Sequence, residues 1–162
     1  MADEPDVPEV RPPTVDDLRR ICRALEDSGA RYLLIGGFAV ILHGGERTTK
    51  DIDLLVDPAP ENIARLKEAL MVLEDGAARE IEPHDLEIYT VVRVADEVMV
   101  DLLAKACGVT WEEAKGSART IDLEGTPVRV VDKRTLIRTK QTIRPSDAAD
   151  RAWLEALLAE ED

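Results

Sequence analysis

Residues 32–57 read YLLIGGFAVILHGGERTTKDIDLLVD. Tyr32-Leu33-Leu34-Ile35 is a short apolar run stopped by Gly36-Gly37, and Phe38 to Leu42 then reads as a short buried helix ending before His43-Gly44-Gly45. The local unit is strand, glycine turn, helix. Asp51 to Val56 reads as a second strand, whose two-residue period puts the Asp51 and Asp53 carboxylates on one face and Ile52 with Leu54 on the other. Two like charges held that close repel, so a cation, protons or solvent has to relieve them, and oxygen ligands of this kind suit Mg²⁺ or Mn²⁺. A strand start open to water is the other reading of the same pair.

Outward from this stretch, Thr14 is placed to cap a helix with Asp16 and Asp17 in its first turn and Leu18, Ile21, Cys22 and Leu25 along its apolar face, ended by Ser28-Gly29. The segment before it, MADEPDVPEVRPP, is acidic and Pro-rich without apolar periodicity, which predicts a disordered leader over 1–13 and one domain over 14–162. On the other side, Pro58 to Leu73 reads as a helix closed by Gly76. Leu86 to Val94 and Glu97 to Leu103 read as antiparallel strands joined at Ala95-Asp96, and Arg119 to Leu123 with Val128 to Val131 as a further pair. Asp132 starts a helix to about Lys140, and Ser146 is expected to cap a last helix carrying Trp153, Leu154, Leu157 and Leu158.

Asp101 interrupts the apolar run Val98-Met99-Val100 and Leu102-Leu103. A carboxylate buried there without a partner costs several kcal/mol, so it needs a cation nearby, either a metal ion or a Lys or Arg, unless its position is open to water. If its strand adjoins Asp51 and Asp53, three carboxylates converge and can hold two metal ions for phosphoryl or nucleotidyl transfer. Gly36-Gly37 would present backbone N–H groups to a phosphate at a helix start, or else serve tight packing of the turn.

Composition narrows the partners. The formal charge of −13 repels phosphate backbones, and an aromatic content of 3%, with Phe38 the single Phe, leaves few rings for bases to stack on. General nucleic-acid binding is therefore not expected. Cys22 and Cys107 lie far apart without a CxxC pattern and read as reduced thiols, while His43 and His84 have no partner at zinc spacing. No apolar run approaches the roughly 18 residues of a membrane span, and the acidic start is unlike a signal peptide, so the expected location is cytoplasmic without a membrane partner.

Taken together, Leu34-Ile35-Gly36-Gly37, thirteen residues, then Asp51-Ile52-Asp53-Leu54, with Val100-Asp101-Leu102 downstream, resemble the signature of the DNA polymerase β-like nucleotidyltransferase superfamily. The fuller string from Gly36 to Asp57 is similar to minimal bacterial nucleotidyltransferases of the AbiEii type, toxins of toxin–antitoxin and abortive-infection systems. The stretch from Lys140 through Arg144 and Asp147 to Asp150 looks like that group's closing helices. The resemblance implies an α+β fold with a small mixed, mainly antiparallel sheet flanked by helices. It implies a nucleoside triphosphate donor, two Mg²⁺ or Mn²⁺ ions, and transfer of a nucleoside monophosphate to an acceptor hydroxyl with loss of pyrophosphate. Carried over by residue, Asp51, Asp53 and Asp101 would be the catalytic metal ligands, Asp101 also helping to deprotonate the acceptor. Gly36, Gly37, Arg47, Thr49 and Lys140 would serve the nucleotide, Arg47 and Thr49 either touching phosphates or bracing the loop. Arg144 with Asp147 reads at least as well as a helix-joining ion pair, and Lys140 equally as a solvated helix lysine. The acceptor stays open among a small molecule, a protein and tRNA, an antitoxin partner is possible, and a non-catalytic nucleotide- or partner-binding module of the same fold is the alternative function.

Overall fold

A computed structural model describes residues 10–161. The first helix, α1 (Val15–Ser28), starts at a capping box in which Thr14 Oγ1 accepts from Asp17 N while Asp17 accepts from Thr14 N, and it ends at left-handed Gly29. Of the leader expected over 1–13, residues 1–9 lie outside the described residues, but its last part is tied down. Arg11 donates to both carboxylate oxygens of Asp17, at 2.6 and 2.7 Å, its N–H donates to Glu97 O, and Pro13 is buried.

The central elements follow: β1 (Tyr32–Ile35), α2 (Gly36–Leu42), β2 (Asp51–Val56) and α3 (Pro60–Leu70). All four residues of β1 are buried, as in a strand covered on both faces. The third helix is shorter at both ends than its apolar spacing suggests. Pro60 opens it at a position where a missing N–H costs nothing, and Met71 onward turns away.

One expected strand is partly a helix. Residues 86–88, the start of the run expected to be extended, belong with Asp85 to the helical turn α4 (Asp85–Ile88), because the Asp85 side chain accepts from Glu82 N and Tyr89 N donates back to Asp85 O. Only β3 (Val91–Ala95) is extended, and it pairs antiparallel with β4 (Met99–Leu103). The connecting loop is Asp96-Glu97-Val98, not the shorter turn expected at Ala95-Asp96, since the Asp96 carboxylate gathers the N–H groups of Asp75, Ala77 and Glu97. A small hairpin, β5 (Lys105–Ala106) and β6 (Val109–Thr110), leads into the helical turn α5 (Trp111–Ala114).

The chain closes with β7 (Arg119–Leu123), β8 (Thr126–Val130), α6 (Lys133–Thr139) and α7 (Pro145–Glu161). Asp132 caps α6 by accepting from Thr135 N. The last helix begins at Pro145, so Ser146 sits inside its first turn and is not the cap; proline's fixed φ and absent N–H favour that first position.

Six strands make one mixed sheet in the order β3-β4-β2-β1-β8-β7, three of its five pairings antiparallel. The first helix packs on α3 and β8, while α2 packs on β1 and β2 and meets α6, which in turn meets α7. Leu18, Ile21, Leu34, Ile52, Leu54, Ile63, Leu66 and Leu102 are fully buried and form the centre of the core. Among the described residues, no helix is long and apolar enough to cross a membrane.

Candidate active site

The sheet register builds a row of four residues across four strands. Ile35 stands opposite Asp53, Asp53 opposite Asp101, and Asp101 opposite Arg93. Directly opposed residues share a face of a sheet, so one row carries two carboxylates and a guanidinium side by side. Asp51 lies two residues before Asp53 and joins the same face, while Ile52, Leu54, Val100 and Leu102 point into the core at full burial. One carboxylate oxygen from each of Asp51, Asp53 and Asp101 lies within 4.8 Å of the others.

Such crowding has an electrostatic cost that falls mainly on Asp53. Burial, followed by the charges of Asp51 and Asp101, pushes its carboxyl up to about 7, with Lys140 and Arg144 pulling partly the other way. Asp101 is met differently. Arg93 Nε donates to Asp101 Oδ1 at 2.8 Å and Arg93 Nη2 to Oδ2 at 2.9 Å, and the same Nη2 lies 3.6 Å from Asp51 Oδ2. The cation that the buried Asp101 requires is thus supplied within the chain, by a residue that the sequence pattern did not single out.

Gly36 closes the site from the β1 side. Its φ is +74°, and a Cβ there would stand 3.0 Å from both Cβ and Cγ of Asp53 and closer still to Oδ2. Gly37 has a different neighbour: a Cβ would meet Thr49 Oγ1 at 2.7 Å and Arg47 Cζ at 3.3 Å. Packing of the turn is therefore a definite role for both glycines. Thr49 Oγ1 donates to Asp51 O at 3.1 Å, and Arg47 is ion-paired with Asp150, so both side chains brace the segment entering β2.

Opposite the triad, Lys140 is buried with Nζ 3.0 Å from Asp150 Oδ2 and 3.4 Å from Asp147 Oδ1. It is not a solvated helix lysine; it follows α6 and is clamped by two carboxylates of α7. Arg144 Nε donates to Asp147 at 3.1 Å, the ion pair that its spacing allowed, but most of the guanidinium side chain is open to solvent. Between these walls runs a cleft of about 460 Å³, bordered by Gly36, the three aspartates, Arg93, Lys140 and Arg144. Gly37, Arg47 and Thr49 do not border it. Cys107 does, at the tip of the β5–β6 hairpin, and both cysteines are free thiols.

A carboxylate set on one strand pair facing two cations across a cleft is a geometry for holding metal ions on one side and phosphates on the other. The sequence profile of the family described as nucleotidyl transferase AbiEii toxin, type IV toxin–antitoxin system, matches residues 18–124. This chain belongs to the AbiEii family. The AbiEii match spans Gly36, Gly37 and all three aspartates, while Lys140 and the last helix lie beyond it. The fold is shared more widely. A crystal structure of a candidate nucleotidyltransferase from Thermotoga maritima superposes with a TM-score of 0.57 at 15% identity, over 91% of this chain and 96% of that one. Comparison with curated proteins finds no match.

Proposed function

We propose that this AbiEii-family chain transfers a nucleoside monophosphate from a nucleoside triphosphate to an acceptor hydroxyl, using two Mg²⁺ or Mn²⁺ ions, and acts as the toxin of a toxin–antitoxin pair. The observation that carries the reading is the convergence of Asp51, Asp53 and Asp101 within 4.8 Å on two adjacent parallel strands, with Gly36 packed against Asp53. The donor set fits the ions: three hard carboxylate oxygens, one of them on Asp53, whose carboxyl is pushed up to about 7 by burial and then by the charges of Asp51 and Asp101. Bound there, the metal ions would supply Lewis-acid stabilisation of the attacking and leaving oxygens.

The chain's own groups divide the remaining work. Asp51 and Asp53 hold the ions, and Asp101 holds one and takes up the acceptor proton. Lys140 and Arg144 supply positive charge across the cleft for the triphosphate, and the Gly36 backbone at the cleft's edge lies toward its phosphates. Arg47 and Thr49 serve the nucleotide by bracing the loop, through Asp150 and Asp51. All of this lies in a single nucleotidyltransferase domain, and the location that suits its donor and its free thiols is the cytoplasm. The formal charge of −13 favours a small-molecule or protein acceptor over a long polyanion.

The test is thermal unfolding with each of the four nucleoside triphosphates, with and without Mg²⁺, for the wild type and for Asp51→Asn, Asp53→Asn and Asp101→Asn. A ligand at a hundred times its dissociation constant adds about 2.7 kcal/mol, so a rise of several degrees is expected in the wild type alone. Absence of any shift with every triphosphate would sink the reading. A shift without transfer to any acceptor would leave a nucleotide-binding module.

A further inference from the structure

We infer that Arg93 is a displaceable counter-cation of the aspartate triad: it holds both oxygens of Asp101 while no divalent ion is bound and withdraws when one binds. This rests on the metal-site reading above and adds to it a residue that sets how tightly the ion is held.

Three observations lead there. The guanidinium turns its Nε–Nη2 edge to the triad, with bonds of 2.8 and 2.9 Å to the two oxygens of Asp101 and an approach of 3.6 Å to Asp51. Its place is fixed by register, since Arg93 stands directly opposite Asp101 in the β3–β4 pair. Yet the side chain is free to leave: β3 is an edge strand, and the Arg93 side chain is 57% exposed where that of Asp101 is 9% exposed. Lys140, another cation near the triad, is the opposite case, 5% exposed and held by Asp147 and Asp150.

Two outcomes compete when a dication arrives. A carboxylate has about four lone-pair sites, so Arg93 could stay and brace Asp101 as an outer support, which would strengthen metal binding. Against that stands charge. Repulsion between a guanidinium and a dication sharing one carboxylate is twice that between unit charges, and a largely solvent-exposed ion pair offers little to resist it. Withdrawal wins on that balance. Removing Arg93 should then make the ion bind more tightly, not less, and should leave the ion-free protein with three carboxylates facing one another unrelieved.

The experiment is calorimetric titration of Mn²⁺ into the wild type, Arg93→Gln, Arg93→Lys and Asp101→Asn, alongside thermal unfolding of each in EDTA and in saturating Mn²⁺. Loss of a bidentate charge-assisted pair predicts roughly tenfold tighter Mn²⁺ binding by Arg93→Gln. Arg93→Lys should fall between, because an ammonium is a point charge without the planar fork. Arg93→Gln should melt below the wild type in EDTA and recover in Mn²⁺, whereas a merely structural role would lower both. Equal or weaker Mn²⁺ binding by Arg93→Gln overturns the inference while leaving the metal site standing. No Mn²⁺ binding by the wild type or by Arg93→Gln overturns the metal site, and the inference with it.

Discussion

Gly36 and Asp53 stand so close across β1 and β2 that a methyl group on the glycine would lie 3.0 Å from both Cβ and Cγ of the aspartate. Cβ is fixed to the backbone whatever the rotamer, so swinging the Asp53 carboxylate aside relieves only part of the contact. Gly36→Ala therefore carries two costs, the left-handed φ of +74° and the clash, and Gly29 separates them. Gly29 has nearly the same φ, +70°, with nothing within 4 Å of a Cβ. In urea unfolding, Gly29→Ala should lose about 1 kcal/mol from backbone strain alone, and Gly36→Ala about 3 kcal/mol. Equal losses would mean that the contact with Asp53 relaxes freely.

The raised Asp53 carboxyl makes stability depend on pH in a definite direction. Between the ordinary carboxylate value near 4 and the folded value of about 7, the native state keeps a proton that the unfolded chain has released. Stability from this group accordingly falls as pH rises through that window and stays low above it. In EDTA, Asp53→Asn should melt several degrees above the wild type at pH 8 and lose most of that advantage by pH 5. An advantage of the same size at both values would show that titration of Asp53 is not its source.

The parts of the site that were legible in the sequence are those governed by a strict local period. Alternation along Asp51-Ile52-Asp53-Leu54 put both carboxylates on one face, and the apolar residues around Asp101 marked it as a buried anion in need of a cation. What that cation is within the chain depended on pairing register. A two-residue turn at Ala95-Asp96 would set Asp101 opposite Thr90, whereas the three-residue loop sets it opposite Arg93, and that loop length follows from bonds Asp96 makes to Asp75 and Ala77, some twenty residues away in the chain. The partners of Lys140 were hidden for a similar reason, since they lie on the next helix. The β5–β6 hairpin gave no turn signal because a cysteine, Cys107 at φ +48°, takes a left-handed position before Gly108.

Asp96 is thus the hinge of register as well as a buried anion. Fully buried, it accepts from Asp75 N and Ala77 N at 2.9 Å and from Glu97 N at 2.6 Å. Burial pushes its carboxyl up, but these three N–H groups outweigh burial and hold it below the usual range. Asp96→Ala would strand three donors and should cost about 3 kcal/mol, with Asp96→Asn recovering part because one amide oxygen still accepts. Hydrogen exchange at Asp75, Ala77 and Glu97 would read the loss directly, and unchanged protection at all three would refute the account.

Lys140 invites a confusion between stability and function that a second substitution resolves. Its side chain is 5% exposed between Asp147 and Asp150, themselves 6% and 9% exposed, so Lys140→Met leaves two carboxylates facing each other without their cation. Breaking a buried pair by removing one partner costs about 3 kcal/mol, which alone would lower any activity measured near the melting temperature. Arg47 still reaches Asp150 and Arg144 still reaches Asp147, so the aspartates are not wholly abandoned. Replacing them as well, in Lys140→Met with Asp147→Asn and Asp150→Asn, should return much of the stability because the repulsion goes with the charges. If Lys140 also faces the triphosphate, nucleotide binding measured by calorimetry well below the melting temperature stays weak in that triple variant. Recovery of nucleotide affinity together with stability would instead assign Lys140 a purely structural role.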